Sequence, residues 1–241
     1  MASTRAWRVL SLLAFASLLT GASPDPSPGA DVLERYLAAA QEQQTQMRGL
    51  SMQVDIDASM PKLKKTGKLQ ALRNISKLGQ ITYNALSFVG DKTIRNDVIA
   101  RYLTAETRAT TSDEMNISIT PANYKFKYKG VAERDGRSMH VFQLSPRKKK
   151  VGLFKGELWV DAATYMPLRE SGRMVKNPSL FLKRVDFVRD YDIRDGIAFP
   201  RHMESTIETR LVGLATLNIN YRGFSRPEIT HAAAVQPTES Q

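Results

Sequence analysis

The sequence contains no cysteine, only three histidines, and a single long apolar run. Without cysteine, no disulfide can brace the fold and no lipid can be attached to an N-terminal cysteine after export. The histidines His140, His202 and His231 show no H-x-x-H or H-E-x-x-H spacing, so a zinc site would need carboxylates from distant segments. The sequence therefore predicts no metal and no cofactor.

Catalytic motifs are absent as well. The chain has no G-x-S-x-G elbow and no glycine-rich phosphate loop. Glu157 and Asp161 stand four residues apart on a predicted strand, which separates them by roughly 13 Å, and that is far for concerted acid–base work. Asp161 is better placed to form an Asx-turn, after which Pro167 begins the return strand. No catalytic residue is predicted, although sequence alone does not exclude a two-carboxylate glycosidase.

The N-terminus has the pattern of a secretory signal. Arg5 and Arg8 precede the apolar run 9–19, and small residues follow it. We therefore expect a signal peptide at 1–22, with an uncleaved anchor as the alternative, and a Pro/Ser-rich linker at 23–30. The remaining segments are one domain at 31–225 and a flexible tail at 226–241. Export of a cysteine-free domain indicates the periplasm.

The chain is strongly basic, with a formal net charge of +11. Export argues against nucleic acid as the partner, which leaves anionic lipid or an acidic partner. The densest cationic run consists of Arg147, Lys148, Lys149 and Lys150. This run is either a solvated hairpin loop or a contact with anionic head groups of a membrane.

Two segments show helical periodicity. In 31–47 the apolar residues form one stripe, and Asp31 with Glu34 is typical of a capping box. The segment 96–106 also has an apolar face, and Asp97 is a candidate cap. Each helix is amphipathic, so each must lie against another layer.

Most other segments alternate as strands do. The clearest is 124–129, which places aromatic residues on one face and lysines on the other. Asp-Gly pairs at 135–136 and 195–196 indicate tight hairpins. The remaining predicted strands are 50–60, 68–75, the hairpin within 155–172, 138–144, 182–193, 197–209 and 214–224. About ten strands with one apolar face predict a mainly β (α+β) fold, a strongly curved antiparallel sheet whose concave face the helices cover.

The hairpin LWVDAATYMPLR resembles a strand–turn–strand of the LolA/LolB-like lipoprotein carriers, a superfamily that includes RseB-type regulators. The residues that carry the resemblance are Leu158, Trp159, Val160, Asp161, Thr164, Pro167 and Arg169. A late Asp-Gly-x-x-x-Pro hairpin at 195–200 agrees with it. The resemblance covers roughly residues 31–225, and it implies an unclosed β-barrel of about eleven strands with helices plugging the concave side.

The family resemblance also implies a function. Its members bind lipoprotein acyl chains or related lipids in that cavity, so we expect a non-enzymatic periplasmic carrier in outer-membrane biogenesis. The alternative is an RseB-like envelope-stress adaptor that binds a partner protein. Such proteins usually carry a second domain, for which we expect no room in this chain, so the carrier is favoured and the adaptor stays open. In the carriers, an early-strand arginine contacts the helical lid, and Arg73 is the nearest match, with Asn74 in place of the family's proline. The alternative for Arg73 is a strand arginine on the solvated face of the sheet.

An acyl cavity needs apolar side chains that project inward from the strands. The alternation of the strands gives ten candidates for this ligand-binding face: Val54, Ile56, Leu69, Tyr124, Phe126, Tyr128, Leu158, Val160, Val185 and Phe187. The alternative for each is ordinary core packing, and sequence alone does not separate a lined cavity from a filled one.

Overall fold

The computed structural model describes residues 28–111, 117–177, 181–211 and 213–226. The predicted signal peptide 1–22 and nearly all of the predicted tail 226–241 lie outside these residues. Within the described part of the chain, no helix is long and apolar enough to span a membrane.

One sheet of ten antiparallel strands dominates the fold, and its order is β3-β2-β1-β10-β9-β8-β7-β6-β5-β4. The strands are β1 (Ser51–Met60), β2 (Lys65–Ile75), β3 (Ile81–Gly90), β4 (Tyr124–Arg134), β5 (Arg137–Pro146), β6 (Phe154–Asp161), β7 (Pro167–Met174), β8 (Leu182–Arg194), β9 (Ile197–Thr209) and β10 (Leu214–Ser225). The sheet stays open between β3 and β4, so the predicted unclosed antiparallel architecture is confirmed. The described residues contain ten strands, whereas the family resemblance implies about eleven.

The helices differ from the prediction mainly at their beginnings. Helix α1 (Pro28–Met47) begins three residues earlier than expected, at a proline, which suits the first turn of a helix. Asp31 is therefore not a cap, and it forms an ion pair with Arg35 one turn later, at 3.1 Å. Three residues of the predicted linker 23–30 belong to this helix.

The second helical segment runs through a π-helical stretch, Ile94–Ile99, into helix α2 (Ala100–Thr111). The predicted cap Asp97 lies inside it and pairs with Arg101 at 3.0 Å. Asp91 takes the capping role instead, since its carboxylate accepts a hydrogen bond of 2.7 Å from the backbone N–H of Thr93.

Local sequence signals determine the two tightest turns. Asp135 and Gly136 both have positive φ angles, of 52° and 75°, and Asp195 and Gly196 repeat this with 51° and 74°. Two consecutive positive φ angles define the turn that matches the twist of antiparallel strands, and Asp-Gly tolerates them best. Both hairpins predicted from Asp-Gly are confirmed.

The core lies between the sheet and the helices. From α1, Val32 and Tyr36 are buried against it, and Ile94, Val98 and Ile99 are buried from the segment before α2. Side chains on the opposite face of the sheet are largely polar. The helices therefore cover the apolar face of the sheet, as the sequence predicts.

Candidate functional site

Two ion pairs interrupt the apolar inner face of the sheet, one of them buried and the other partly exposed at its arginine. The first is centred on Arg73, which lies opposite Tyr83 in the β2–β3 register. Arg73 is only 8% exposed, and its guanidinium contacts Glu106 of α2 at 3.0 Å. It also donates a hydrogen bond of 3.2 Å to the Tyr83 hydroxyl, which itself donates to Glu106. These three side chains join helix α2 to the sheet.

Electrostatics keep this first pair charged. Burial alone lowers the pKa of Arg73, but Glu106 and Tyr83 outweigh it and raise the pKa overall. Burial raises the pKa of Glu106, yet Arg73 and the Tyr83 hydrogen bond hold it below its ordinary value. The pKa of Tyr83 is raised, first by burial and then by Glu106. At neutral pH the contact is therefore a true ion pair.

The second ion pair joins Glu170 of β7 to Arg189 of β8, which lie directly opposite each other. The Arg189 guanidinium is 3.3 Å from one Glu170 oxygen, and Tyr191 donates to the other oxygen at 2.9 Å. A further Arg189 nitrogen is 3.8 Å from the sulfur of Met203. Burial lowers the pKa of Arg189, but Tyr191 and Glu170 raise it overall, so this cation also keeps its charge.

The sheet opens into a fork beside these pairs. The β9–β10 ladder ends where His202 faces Asn220, so the first residues of β9 have no partner on β10. Pro200 lies in this stretch, has no N–H to donate, and adjoins a bulge in the β8–β9 pairing. Gln43 of α1 fills the gap, because its side-chain amide both donates to the Ala198 carbonyl and accepts from the Ala198 N–H.

A cavity of about 210 Å³ lies at this fork, beneath the carboxyl end of α1. Strands on both sides of the fork and both helices contribute to it. The lining residues are Gln43, Gln44, Met47, Arg48, Arg73, Ile75, Gly79, Ile81, Glu106, Arg189, Tyr191, Ala198, Pro200 and Tyr221.

The ten residues predicted for the ligand face all come from the inner side of the sheet. Eight are buried, namely Val54, Ile56, Leu69, Tyr124, Leu158, Val160, Val185 and Phe187. Phe126 and Tyr128 are half-buried and pack against the core. None of the ten lines the 210 Å³ cavity of the described residues. Nine of them form the main core cluster or pack against it, and Val185 is buried outside that cluster. Their role as ligand contacts stays a prediction.

Arg73 does contact a covering helix, through Glu106 of α2. The alternative of an arginine on the solvated face does not hold, because Arg73 is buried. Whether this contact holds a movable lid stays a prediction.

Three residues of the second ion pair and its surroundings are not identified from the sequence: Arg189, Glu170 and Tyr191. Alternation in β8 could have found two of them, since Arg189 and Tyr191 share the parity of Val185 and Phe187. Finding Glu170 requires the pairing register of β7 with β8, and no local sequence pattern predicts that register.

The hairpin at 155–172 has a structural role. Asp161 accepts hydrogen bonds from the backbone N–H groups of Ala163 and Thr164, at 3.1 and 2.8 Å, which forms the predicted Asx-turn. Glu157 accepts from the indole of Trp159 at 3.0 Å on the outer face. The two carboxylates thus have separate structural partners. Across the described residues, no three His, Asp or Glu side chains are grouped to hold a metal ion.

The solved structures that are similar to this chain include the following three. The chain is similar to a LolA superfamily protein from Nitrosomonas europaea, with 14% identity, a TM-score of 0.42, and coverage of 80% of this chain and 92% of that one. It is also similar to a DUF1329 family protein from Desulfovibrio piger, with 13% identity, a TM-score of 0.44, and coverage of 82% of this chain and 93% of that one. The third is a domain from Vibrio parahaemolyticus assigned to outer membrane lipoprotein sorting, with 12% identity, a TM-score of 0.43, and coverage of 83% of this chain and 95% of that one.

No protein-family model and no curated protein matches the chain. The first of the three structures carries the superfamily name that the hairpin at 158–169 resembles. Similarity at such low identities and TM-scores does not define a function.

Proposed function

We propose that this protein is a periplasmic lipid carrier, which binds acyl chains of lipoproteins or other lipids between its two helices and the inner face of its sheet. It would act by burial alone, without catalysing a reaction. The observation that supports this most directly is the covering of a wide apolar face by two helices joined to it through a few identifiable polar contacts. Those contacts are the Arg73–Glu106 pair for α2 and the Gln43–Ala198 hydrogen bonds for α1.

Burial of an acyl chain on this face supplies enough free energy for carriage. Each methylene removed from water contributes about 0.8 kcal/mol, so ten contribute about 8 kcal/mol, which corresponds to roughly micromolar affinity before ordering costs. The cavity, at about 210 Å³, is too small for a long acyl chain. Binding would therefore require the helices to move away from the core residues that they cover.

The test is lipid capture by protein purified without detergent. Organic extraction followed by mass spectrometry should find lipid at a stoichiometric ratio, and the extracted protein should take up a fluorescent fatty acid. Protein that contains no lipid and also fails to take up the fatty acid would refute the carrier and favour the adaptor alternative.

Two variants on one strand locate the binding face. Tyr128 of β4 is half-buried on the inner side, whereas Val131 is 59% exposed. Tyr128→Ala should weaken fatty-acid binding about 10-fold, because an aromatic contact of about 1.4 kcal/mol is lost. Val131→Ala should leave the affinity unchanged. Equal effects of the two substitutions would argue against binding at the inner face.

The basic run Arg147, Lys148, Lys149 and Lys150 supports a second element of the proposal, transient contact with an anionic membrane surface. All four residues are exposed in the loop between β5 and β6. The neighbouring edge strand β4 adds further exposed lysines, Lys125, Lys127 and Lys129. Each lysine near an anionic surface contributes about 1 kcal/mol.

Vesicle co-sedimentation tests the membrane contact. Binding to phosphatidylglycerol vesicles should exceed binding to phosphatidylcholine vesicles, and Lys148→Gln with Lys149→Gln should weaken the former by about 30-fold. Substitution of two exposed cations elsewhere, Lys62 and Lys64, provides the control. Equal binding to both kinds of vesicle would refute this element and leave the carrier proposal intact.

A further inference from the structure

The cavity at the fork carries more charge than an acyl chain requires. Three of its lining residues are cations, Arg48, Arg73 and Arg189, and one is an anion, Glu106. Charged groups are rarely placed against a cavity unless a partner compensates them. The partners that already neutralise each cation therefore determine whether the cavity can bind a further anion.

Arg73 is fully engaged. Glu106 contacts one nitrogen at 3.0 Å, the Tyr83 hydroxyl accepts from a second at 3.2 Å, and the third is 3.7 Å from the buried sulfur of Met52. The pair is neutral as a unit and fixes α2. Arg73 therefore forms a wall of the cavity and has little capacity to hold a second anion.

Arg189 has donors to spare. A guanidinium carries five N–H groups. One Arg189 nitrogen reaches Glu170 at 3.3 Å, another reaches the sulfur of Met203 at 3.8 Å, and the Tyr191 hydroxyl also accepts a hydrogen bond from this guanidinium. Sulfur is a weak acceptor, which an oxygen anion would replace favourably. Glu170 does not line the cavity, and Tyr191 holds its second oxygen, so this carboxylate orients Arg189 from behind.

Arg48 is the third cation. It is exposed, follows the last residue of α1, and forms no ion pair with a carboxylate of the described residues. The three arginines carry three positive charges, and Glu106 together with Glu170 behind the wall carries two negative charges. One net positive charge therefore remains at the cavity. The partial negative charge at the carboxyl end of α1 is only about half an elementary charge, so it does not cancel Arg48.

We propose that this cavity binds the anionic head group, a carboxylate or phosphate, of an amphiphilic ligand, with Arg189 and Arg48 as its ligands. This rests on the proposed function, since the apolar part of the same molecule would lie along the inner face of the sheet. The cavity volume of about 210 Å³ accommodates such a head group, and Met47, Ile75 and Ile81 line the path of the first methylenes. The carrier would thus select anionic lipids over neutral ones.

Isothermal titration with amphiphiles of one chain length tests the selectivity. Decyl phosphate and decyl maltoside, each below its critical micelle concentration, and inorganic phosphate alone are titrated into the purified protein. Decyl phosphate is expected to bind about 10-fold more tightly than decyl maltoside at low salt, since it gains charge-assisted hydrogen bonds. Its advantage should shrink as salt is added. Inorganic phosphate should bind far more weakly than decyl phosphate.

Substitutions then assign the cations. Arg48→Gln should weaken decyl phosphate binding by up to about 5-fold and leave decyl maltoside unchanged. The paired substitution Arg189→Gln with Glu170→Gln removes a cation without stranding a buried carboxylate, and it should cost decyl phosphate about 10-fold or more. Arg137→Gln, at an exposed position at the start of β5, is the matched control.

The outcomes separate the head-group proposal from the carrier proposal. Equal affinity for the two decyl compounds, with no effect of the substitutions, overturns the head-group proposal while lipid binding stands. Inorganic phosphate that binds as tightly as decyl phosphate would assign the site to a free anion and overturn the amphiphile. Failure of both decyl compounds to bind overturns the head-group proposal and the carrier together.

Discussion

Breaking the ion pair between Arg73 and Glu106 should destabilise the protein more than its single contact suggests. Arg73 is 8% exposed and the Glu106 side chain 19%, so removing one partner leaves the other as a buried charge. Such a loss costs about 3–5 kcal/mol, and we expect about 3 kcal/mol because the Tyr83 hydroxyl stays as a hydrogen-bond partner. Arg73→Met and Glu106→Gln should each lower the free energy of unfolding by this amount.

The double variant distinguishes charge pairing from packing. With both charges gone, no buried ion is stranded, so the variant with both substitutions should be no less stable than either single one. The cycle then gives a coupling energy of about 3 kcal/mol. Urea unfolding measures it, with the fluorescence of the half-buried Trp159 of β6 as the signal. If the two losses simply added, α2 would be held by packing and the electrostatic account would be refuted.

Three more changes have defined outcomes. Because the pKa of Glu106 is lowered on folding, its contribution to stability is complete above its ordinary pKa of 4.5 and is lost as pH falls below that value. The protection of α2 amides from hydrogen exchange, measured relative to their intrinsic rates at each pH, should therefore fall in acid before that of the central strands does, and this early loss should be absent in Glu106→Gln. Gln43→Ala removes two hydrogen bonds to Ala198 and should cost about 1–3 kcal/mol, measured by thermal unfolding, with faster exchange in α1. Gly156→Ala would bring a methyl group within 1.9 Å of the Ser171 carbonyl oxygen, so it should cost at least about 3 kcal/mol, and a variant as stable as the parent would contradict the register of β6 and β7.

Most of the sheet can be predicted from the sequence because the patterns that mark its strands and turns are local. Alternation over 124–129 predicted β4, and Asp-Gly at 135–136 and 195–196 predicted two hairpins, since each turn depends only on its own dihedral angles. Strand β3 was missed. It is an edge strand with most of its residues partly or fully exposed, so no strict alternation between apolar and polar residues marks it.

The candidate site is harder to predict from the sequence because it depends on how the strands pair with one another. Alternation places Arg73 and Arg189 on the inner face, but their partners Glu106 and Glu170 come from other elements. The fork likewise arises where β10 leaves β9 near Pro200, and Gln43, far away in the chain, completes it. Only the three-dimensional arrangement brings these residues to one cavity.

The proposed function places lipid between the helices and the inner face of the sheet. Photo-crosslinking tests this placement: a fatty acid with a diazirine at its terminal carbon is bound and irradiated, and its attachment sites are identified by mass spectrometry. Attachment should fall on inner-face residues such as Leu158, Val160 and Phe187, and excess unlabelled fatty acid should abolish it. Attachment confined to the outer face, around Trp159 or Arg169, would contradict the proposed site.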